Sequence, residues 1–485
     1  MRGLISLTLI VILTMGITGC IKKADEGKLP ITTSSDQARK EFLEGRGLAE
    51  KLQFINSLQY FDKAIALDSS FATAYLYRAN NSLTAKEFFF YLKKAIALKE
   101  KCSEGERLMI LSTEAGTNVN TVEQKEYLDK LIALYPNDER VRSYLGGYYF
   151  GQQDYTKAIE QYKKAVEIAP DYSIAYNMLG YSYRQIKNYS EAENAFKKYI
   201  ELVPNDPNPY DSYAELLLKV GRFNESITNY QKALNVDQNF VSSYLGIAAN
   251  YMYKGERDSG SAELKKLSTI ARNDFERRQA LFAQMVIYVD ASKMDMALQE
   301  LEKQYMLGEK TNDVAAMSAD CGTKGVILLK MGKVNDALTA FEKSAQLIAS
   351  SDLSQELKDN AQLFLHFSRT AVAIEKKDMK KAKAEAEIFC KGAEASKDMN
   401  QKRLRHELLG RIALAEKKSD LAIEELLQAD QQDPYNLYRL ALSYQMKGNK
   451  AQAKEFCKKA AQFNGIPSLN YAFIRIKAEK LLSSL

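Results

Sequence analysis

Residues 139–206 read ERVRSYLGGYYFGQQDYTKAIEQYKKAVEIAPDY, followed directly by SIAYNMLGYSYRQIKNYSEAENAFKKYIELVPND. The two halves align without a gap at a period of 34 residues. Leu145 falls on Leu179, Gly146 on Gly180, Tyr149 on Tyr183, Ala158 on Ala192, Tyr162 on Phe196 and Pro170 on Pro204. A fixed period of this length predicts a solenoid of stacked helical hairpins. Such an array usually presents a binding surface rather than a reaction centre.

Each repeated position has a physical reason. In residues 173–206, Tyr176, Leu179 and Tyr183 fall on one face of a first helix. Gly180 sits where a second helix crosses closely, and Ala192 is the small residue facing it. Phe196 and Tyr199 fill the space toward the next hairpin, and Pro204 ends the unit because it cannot continue a helix. Lys187-Asn188-Tyr189 gives the short polar turn that an antiparallel helix pair needs.

The same register extends both ways. Downstream, residues 207–240 keep Tyr210, Tyr213, Ala214, Gly221, Tyr230 and Ala233, and residues 241–274 keep Tyr244, Ile247, Ala248, Tyr251 and Gly255. Upstream, SLQYFDKAIALD (57–68) and YLKKAIAL (91–98) read as second helices. Gly325, Gly332, Ala337 and Phe341 mark a further unit, Gly410, Ala422, Leu426 and Pro434 another, and Ala441, Gly448, Ala453 and Ala460 the last. The pattern resembles the tetratricopeptide repeat at its signature positions. The stretch from Ser103 to about Arg278 also resembles a group of bacterial tetratricopeptide proteins, chiefly through YDSYAELLLKVGRFNESITNYQKALNVDQNF (210–240). The expected fold is an all-α, right-handed superhelical solenoid of about twelve hairpins with a C-terminal capping helix. Degenerate repeats are expected over 38–138, well-defined ones over 139–274, irregular ones over 275–402 and regular ones again over 403–466. Residues 467–485 form the capping helix in this reading, with Leu469, Phe473, Ile476 and Leu481 on its apolar face.

Residues 1–20 read MRGLISLTLIVILTMGITGC. Arg2 supplies a positive end, and the apolar run from Leu4 to Ile17 spans only about 21 Å as a helix, short of the roughly 30 Å hydrocarbon core. A secretion signal is expected rather than a membrane-spanning helix. Ile17-Thr18-Gly19-Cys20 resembles a bacterial lipobox, which implies lipidation of Cys20. Residues 21–37 are polar and aperiodic and read as a flexible tether. Ile21 stands where some bacteria use Asp to retain lipoproteins at the inner membrane. The resemblance therefore implies a lipid-anchored cell-envelope protein, with the outer membrane favoured and the face left open.

The 485 residues are 46% hydrophobic with a formal charge of +6, which is mild for the length. No basic cluster marks a nucleic-acid footprint, and an exported chain is not expected to meet nucleic acid. Cys102, Cys321, Cys390 and Cys457 lie far apart. Buried free thiols are the plain expectation, with a Cys390–Cys457 disulfide as the alternative to test, and no pair has zinc-ligand spacing. The two histidines, His366 and His406, fall at packing positions of first helices. No metalloprotease, nucleophile-elbow or phosphate-loop pattern appears, so no catalytic residue, metal or cofactor is expected.

In the family that the chain resembles, the first helix of each hairpin lines the concave face. The corresponding positions here include Arg140, Phe150, Asn177, Tyr181, Arg184, Asp211, Glu215 and Met252. They are the candidate groove residues for a protein or peptide partner, with no small-molecule substrate expected. Asp211 and Glu215 would repel a partner's C-terminal carboxylate. The functional expectation is a non-catalytic scaffold or adaptor in the envelope. A glycan- or nutrient-binding lipoprotein and a sensory partner of a signalling complex are the alternatives.

Overall fold

The computed structural model describes residues 27–485 apart from 397 and 467. The signal sequence and Cys20 lie outside the described residues. Among those described, the secondary structure is helical throughout, with one 3₁₀ turn at Lys99–Lys101. The first four hairpins are α1 (Asp36–Glu50) with α2 (Phe54–Leu67), α3 (Ala72–Asn80) with α4 (Ala85–Ala97), α5 (Glu104–Thr117) with α6 (Thr121–Leu134), and α7 (Glu139–Gly151) with α8 (Tyr155–Ile168). Next come α9 (Ser173–Gln185) with α10 (Tyr189–Leu202), α11 (Pro207–Lys219) with α12 (Phe223–Val236), α13 (Val241–Tyr253) with α14 (Arg257–Ile270), and α15 (Asp274–Asp290) with α16 (Met294–Lys310). The last four are α17 (Val314–Lys330) with α18 (Val334–Ala349), α19 (Gln355–Glu375) with α20 (Met379–Ala395), α21 (Met399–Ala415) with α22 (Ser419–Gln428), and α23 (Pro434–Met446) with α24 (Lys450–Ala461). The unpaired α25 (Leu469–Ser484) follows. The twelve hairpins and the terminal helix match the expected architecture.

Local sequence explains the starts and turns. Asp138, Asp154, Asn188 and Asp206 cap α7, α8, α10 and α11 through their side chains, satisfying amides that have no partner inside the helix. Within eleven of the twelve hairpins the chain turns through a residue of positive φ, at Leu52, Val119, Gln153, Lys187, Gly221, Gly255, Ser292, Gly332, Lys377, Lys417 and Gly448. Hairpin 2 turns without one. The glycine crossing is equally concrete. A Cβ added at Gly180 would stand 2.5 Å from the Phe196 ring, and one at Gly146 would stand 2.7 Å from Tyr162. The paired small and aromatic residues thus set the helix separation within a hairpin.

The irregular period over 275–402 has a simple cause. Helices α15, α16 and α17 have 17 residues each and α19 has 21, against 13 or 14 in the regular hairpins 4 to 7. The extra residues amount to about one helical turn or more per helix, which moves the repeat off 34 without changing its plan.

Three features depart from the sequence reading. First, residues 28–35 do not run free as the tether did in that reading. The Leu29 amide donates to Asp138 (2.8 Å), the Thr32 amide to Glu106 (2.9 Å), and the Thr33 hydroxyl to Asp68 (2.6 Å). Lys28 pairs with Glu139, and Leu29 and Ile31 pack on the cores of the first hairpins. The segment is thereby stitched across the loops that join hairpins 1 to 4.

Second, the solenoid touches itself about one superhelical turn along. The Ala85 amide donates to Asp313 (3.0 Å), Ser354 to Asn118 (2.9 Å) and Gln153 to Asp430 (2.9 Å). These bonds join hairpins 2, 3 and 4 to positions six or seven hairpins further on. Third, α25 covers the last hairpin, as expected, but also reaches back to hairpins 7 and 8. Arg475 makes two 2.7 Å bonds to Asp290 at the end of α15, and Tyr471 lies edge-on to Tyr253 of α13. Tyr471, Ala472, Phe473, Ile474, Arg475 and Ala478 are all buried, so the helix is covered on more than one side. One core accordingly joins hairpins 7 to 9 with hairpins 11 and 12 and α25.

Candidate functional site

The eight candidate groove residues do sit on first helices, but none is fully exposed. Met252 is 1% exposed and belongs to the core that receives α25. It is a packing residue, and the expected groove role does not fit its position. The miss comes from α25, which packs against α13 and α15 where an open groove was expected.

Arg140 is engaged by Glu50 of hairpin 1 through two bonds (2.5 and 3.1 Å) and lies over the Tyr172 ring. Phe150 packs on Tyr155 and on the core of hairpins 4 and 5. Asn177 is buried, and its side-chain oxygen has no hydrogen-bond partner in the structure. Tyr181, Arg184 and Glu215 form one cluster. Arg184 Nη1 reaches Glu215 Oε1 at 2.5 Å, the Tyr181 hydroxyl donates to Glu215 Oε2 at 2.8 Å, and the guanidinium lies 4.7 Å from the Tyr181 ring centre. Asp211 accepts a 2.7 Å bond from Ser243 of the following hairpin.

The pattern recurs along the array. Thr73 bonds Glu106, Arg278 bonds Asp320, and Arg439 bonds Glu407, each between adjacent first helices. Polar side chains on first helices are thus largely spent on neighbouring hairpins. Charged and aromatic residues at groove positions looked like ligand contacts in the sequence because their intramolecular partners lie a whole repeat away.

The described residues leave a cavity of about 780 Å³ beside these first helices. One wall is made by α11, α13 and the start of α15, through Asn208, Asp211, Glu215, Leu245 and Phe275. The opposite wall comes from the turns of hairpins 1 and 2, through Gln53, Phe54, Asn56 and Asn81. Gln53 ties the two walls together by donating to Asp206 (2.8 Å). Ile466, from the segment leading into α25, also lines it. Of the eight candidate residues, the structure brings Tyr181, Asp211 and Glu215 to this cavity. Arg184 stands behind it through Glu215, and Arg140, Phe150, Asn177 and Met252 do not line it.

The sequence reading missed the wall contributed by hairpins 1 and 2. Its only sequence signal is local: amides and an aromatic in turns, as at Gln53, Phe54 and Asn56, which any solvated loop could carry.

Burial perturbs an acid and a base on α11. It pushes the Asp211 carboxyl up to about 7, with Glu215 adding repulsion and the Ser243 bond opposing. It also pushes the Lys219 amine down to about 7, reinforced by the nearby Arg184 charge. Lys219 donates to the Phe463 carbonyl at 2.6 Å and sits 3.8 Å from that ring's centre, tying α11 to the segment before α25.

The remaining candidates resolve plainly. Cys102, Cys321, Cys390 and Cys457 are all free thiols. Cys457 donates to the Ala478 carbonyl (3.1 Å), which leaves it packed under α25 rather than paired with Cys390. His366 and His406 are each half-buried and bonded to a glutamate on the paired helix, Glu385 at 2.6 Å and Glu425 at 2.7 Å.

Comparison with known proteins points the same way as the geometry. Two family models, each described as tetratricopeptide repeat, match residues 139–205 and 434–465. No curated protein matches the chain. Among solved structures, a tetratricopeptide repeat protein from Parabacteroides merdae is 17% identical, covering 53% of this chain and 99% of its own at a TM-score of 0.37. A MamA fragment from Desulfovibrio magneticus is 17% identical, covering 35% of this chain and 97% of its own at 0.30. The Cut9–Hcn1 hetero-tetramer of the APC/C is 14% identical, covering 87% of this chain and 76% of its own at 0.40. Residues 139–205 and 434–465 are thus tetratricopeptide repeats, set among the described residues in a run of twelve helical hairpins.

Proposed function

We propose that the protein is a non-catalytic interaction scaffold of the bacterial cell envelope, anchored by lipid on Cys20, which receives a segment of a partner protein at its inner cavity. The observation that carries the docking reading is the rim of that cavity. Phe54, Val236 and Phe275 are about 40% exposed there, at 43, 41 and 38%, around an interior rich in amides and carboxylates. Exposed aromatics beside a recess are the usual anchors of a protein interface. Most other concave positions are already satisfied within the chain, which concentrates recognition at this one place.

The anchor reading is supported by the sequence MRGLISLTLIVILTMGITGC. The eight peptide steps from Cys20 to Lys28, which among the described residues begins the contacts with the solenoid, reach at most about 28 Å. A lipidated Cys20 would therefore hold hairpins 1 to 4 close to the membrane. Ile21 after the cysteine favours the outer membrane.

Crosslinking of native envelopes followed by capture of this protein tests the docking. The expected result is a recovered protein that is lost when Phe54→Ala is combined with Phe275→Ala. Recovery of the same proteins by wild type and variant, or of none by either, refutes it. Failure of Cys20 to incorporate an alkyne-tagged fatty acid would remove the anchor and leave the docking test standing.

A further inference from the structure

We infer that the cavity selects a partner segment carrying a lysine or arginine side chain, with the Asp211 carboxylate as its counter-ion. This rests on the docking proposal and specifies its chemistry. Two buried carboxylates line the cavity, and they differ. Glu276, 2% exposed, is filled: the Arg272 amide donates to one oxygen (2.7 Å), and Arg272 Nε and Nη2 donate to the other (2.9 and 2.6 Å). Asp211, 5% exposed, is not. Its Oδ1 accepts from Ser243, and among the described residues nothing donates to Oδ2.

A second unpaired acceptor belongs to a residue of the lining, shielded beneath its surface. Asn81, 6% exposed, spends its amide nitrogen on the Tyr77 carbonyl (2.7 Å), and its buried oxygen has no partner. A buried acceptor left without a donor, as at Asn81, is costly, whereas the free Asp211 oxygen is open to the cavity.

Charge agrees. Among the described residues, Asp211, Glu215, Asp237 and Glu276 line the cavity against a single cation, Arg272, which is already committed to Glu276. Glu215 is neutralised by Arg184. The charge left over among the described lining residues is therefore negative, at buried Asp211 when ionised and at the more exposed Asp237. An ammonium or guanidinium brings several donors and one positive charge, which is what Asp211 lacks.

A protein segment suits the site better than a free amine. About 780 Å³ is toward the upper end of pocket sizes for compact ligands, so a lone alkylamine would leave most of it unfilled. Gln53, Asn56 and Asn208 can both donate to and accept from a peptide backbone, and the rim aromatics lie where flanking residues would pass.

The test uses purified full-length protein, two acetylated and amidated pentapeptides, Ala-Lys-Ala-Lys-Ala and Ala-Glu-Ala-Glu-Ala, and spermidine, with titration calorimetry at low salt. The lysine peptide should bind, the glutamate peptide should not, and Asp211→Asn should weaken the lysine peptide at least about tenfold. Circular dichroism and melting confirm that the variant is folded. No binding of the lysine peptide, or equal binding by Asp211→Asn, overturns the inference. Spermidine binding as tightly as the peptide also overturns it, because the site would then take free amines. If envelope capture yields a partner that depends on Phe54 and Phe275 but not on Asp211, docking stands and the cation inference fails. If capture yields nothing, docking itself has failed.

Discussion

Replacing Asp211 by asparagine should stabilise the empty protein, and the gain should depend on pH in a defined way. The exchange keeps the shape and the acceptor for Ser243, and removes only the charge. Burial and the neighbouring Glu215 raise the folded carboxyl from 3.8 to about 7. Below about pH 4 the carboxyl is protonated in folded and unfolded chains alike, so its titration costs nothing. From about pH 4 to 7 the unfolded chain ionises and the folded one resists, so wild type loses about 1.4 kcal/mol per pH unit. Above about pH 7 the loss levels off near 4 kcal/mol, which solvent in the cavity trims to about 2–4 kcal/mol. Hydrogen exchange of the α11 amides in both proteins at three pH values reads this locally. The expected advantage of Asp211→Asn is near zero at about pH 4 and levels off above about pH 7. An advantage that ignores pH, or a variant less stable than wild type above pH 7, would refute the account of a buried, unpaired carboxyl.

Neighbouring glycines should respond oppositely: Gly146→Ala destabilises by about 1–3 kcal/mol because its Cβ meets the Tyr162 ring. Gly147→Ala, whose Cβ meets only the Tyr162 hydroxyl at 3.8 Å, stabilises by about 0.5–1 kcal/mol, and urea unfolding midpoints separate the two. Lys187→Gly relieves a left-handed residue in a hairpin turn and should gain up to about 1 kcal/mol in the same assay, whereas a loss would mean that the lysine itself holds the turn. Arg475→Ala leaves Asp290 buried with Arg257 as its remaining partner and should cost about 3 kcal/mol, seen as faster exchange in both α15 and α25; exchange changed in α25 alone would show that the two helices are not coupled.

What the sequence disclosed, and what it did not, divides along the range of the interactions. Hairpin packing is local, so Gly180 and Ala192 could be read from a 34-residue period, although Phe196, expected toward the next hairpin, packs on Gly180 of its own. The extra turn in α15 to α19 blurred that period but left helix counts legible. Contacts between distant hairpins left no periodic trace, because each depends on single residues such as Asp313, Asn118 or Asp430. The same holds for Gln53 and Asn81, which make half of the cavity wall. Arg184 and Glu215 were visible as charges in the right place, but their mutual satisfaction required knowing that successive first helices bring them within 2.5 Å. Leu29 and Thr33 read as linker because a docked extended strand has no signature of its own.

The bonds between one superhelical turn and the next also constrain the gene. An open repeat array can gain or lose a unit anywhere, since each unit answers only to its neighbours. Here the coils mesh like gear teeth, with Ala85 seated on Asp313 and Gln153 on Asp430. Duplicating or deleting one hairpin between them would put every later tooth out of phase, strand the wall built by hairpins 1 and 2, and open the cavity. Copy number is consequently part of the site, and lineages of this protein should vary hairpin length, as α15 to α19 already do, far more readily than hairpin number.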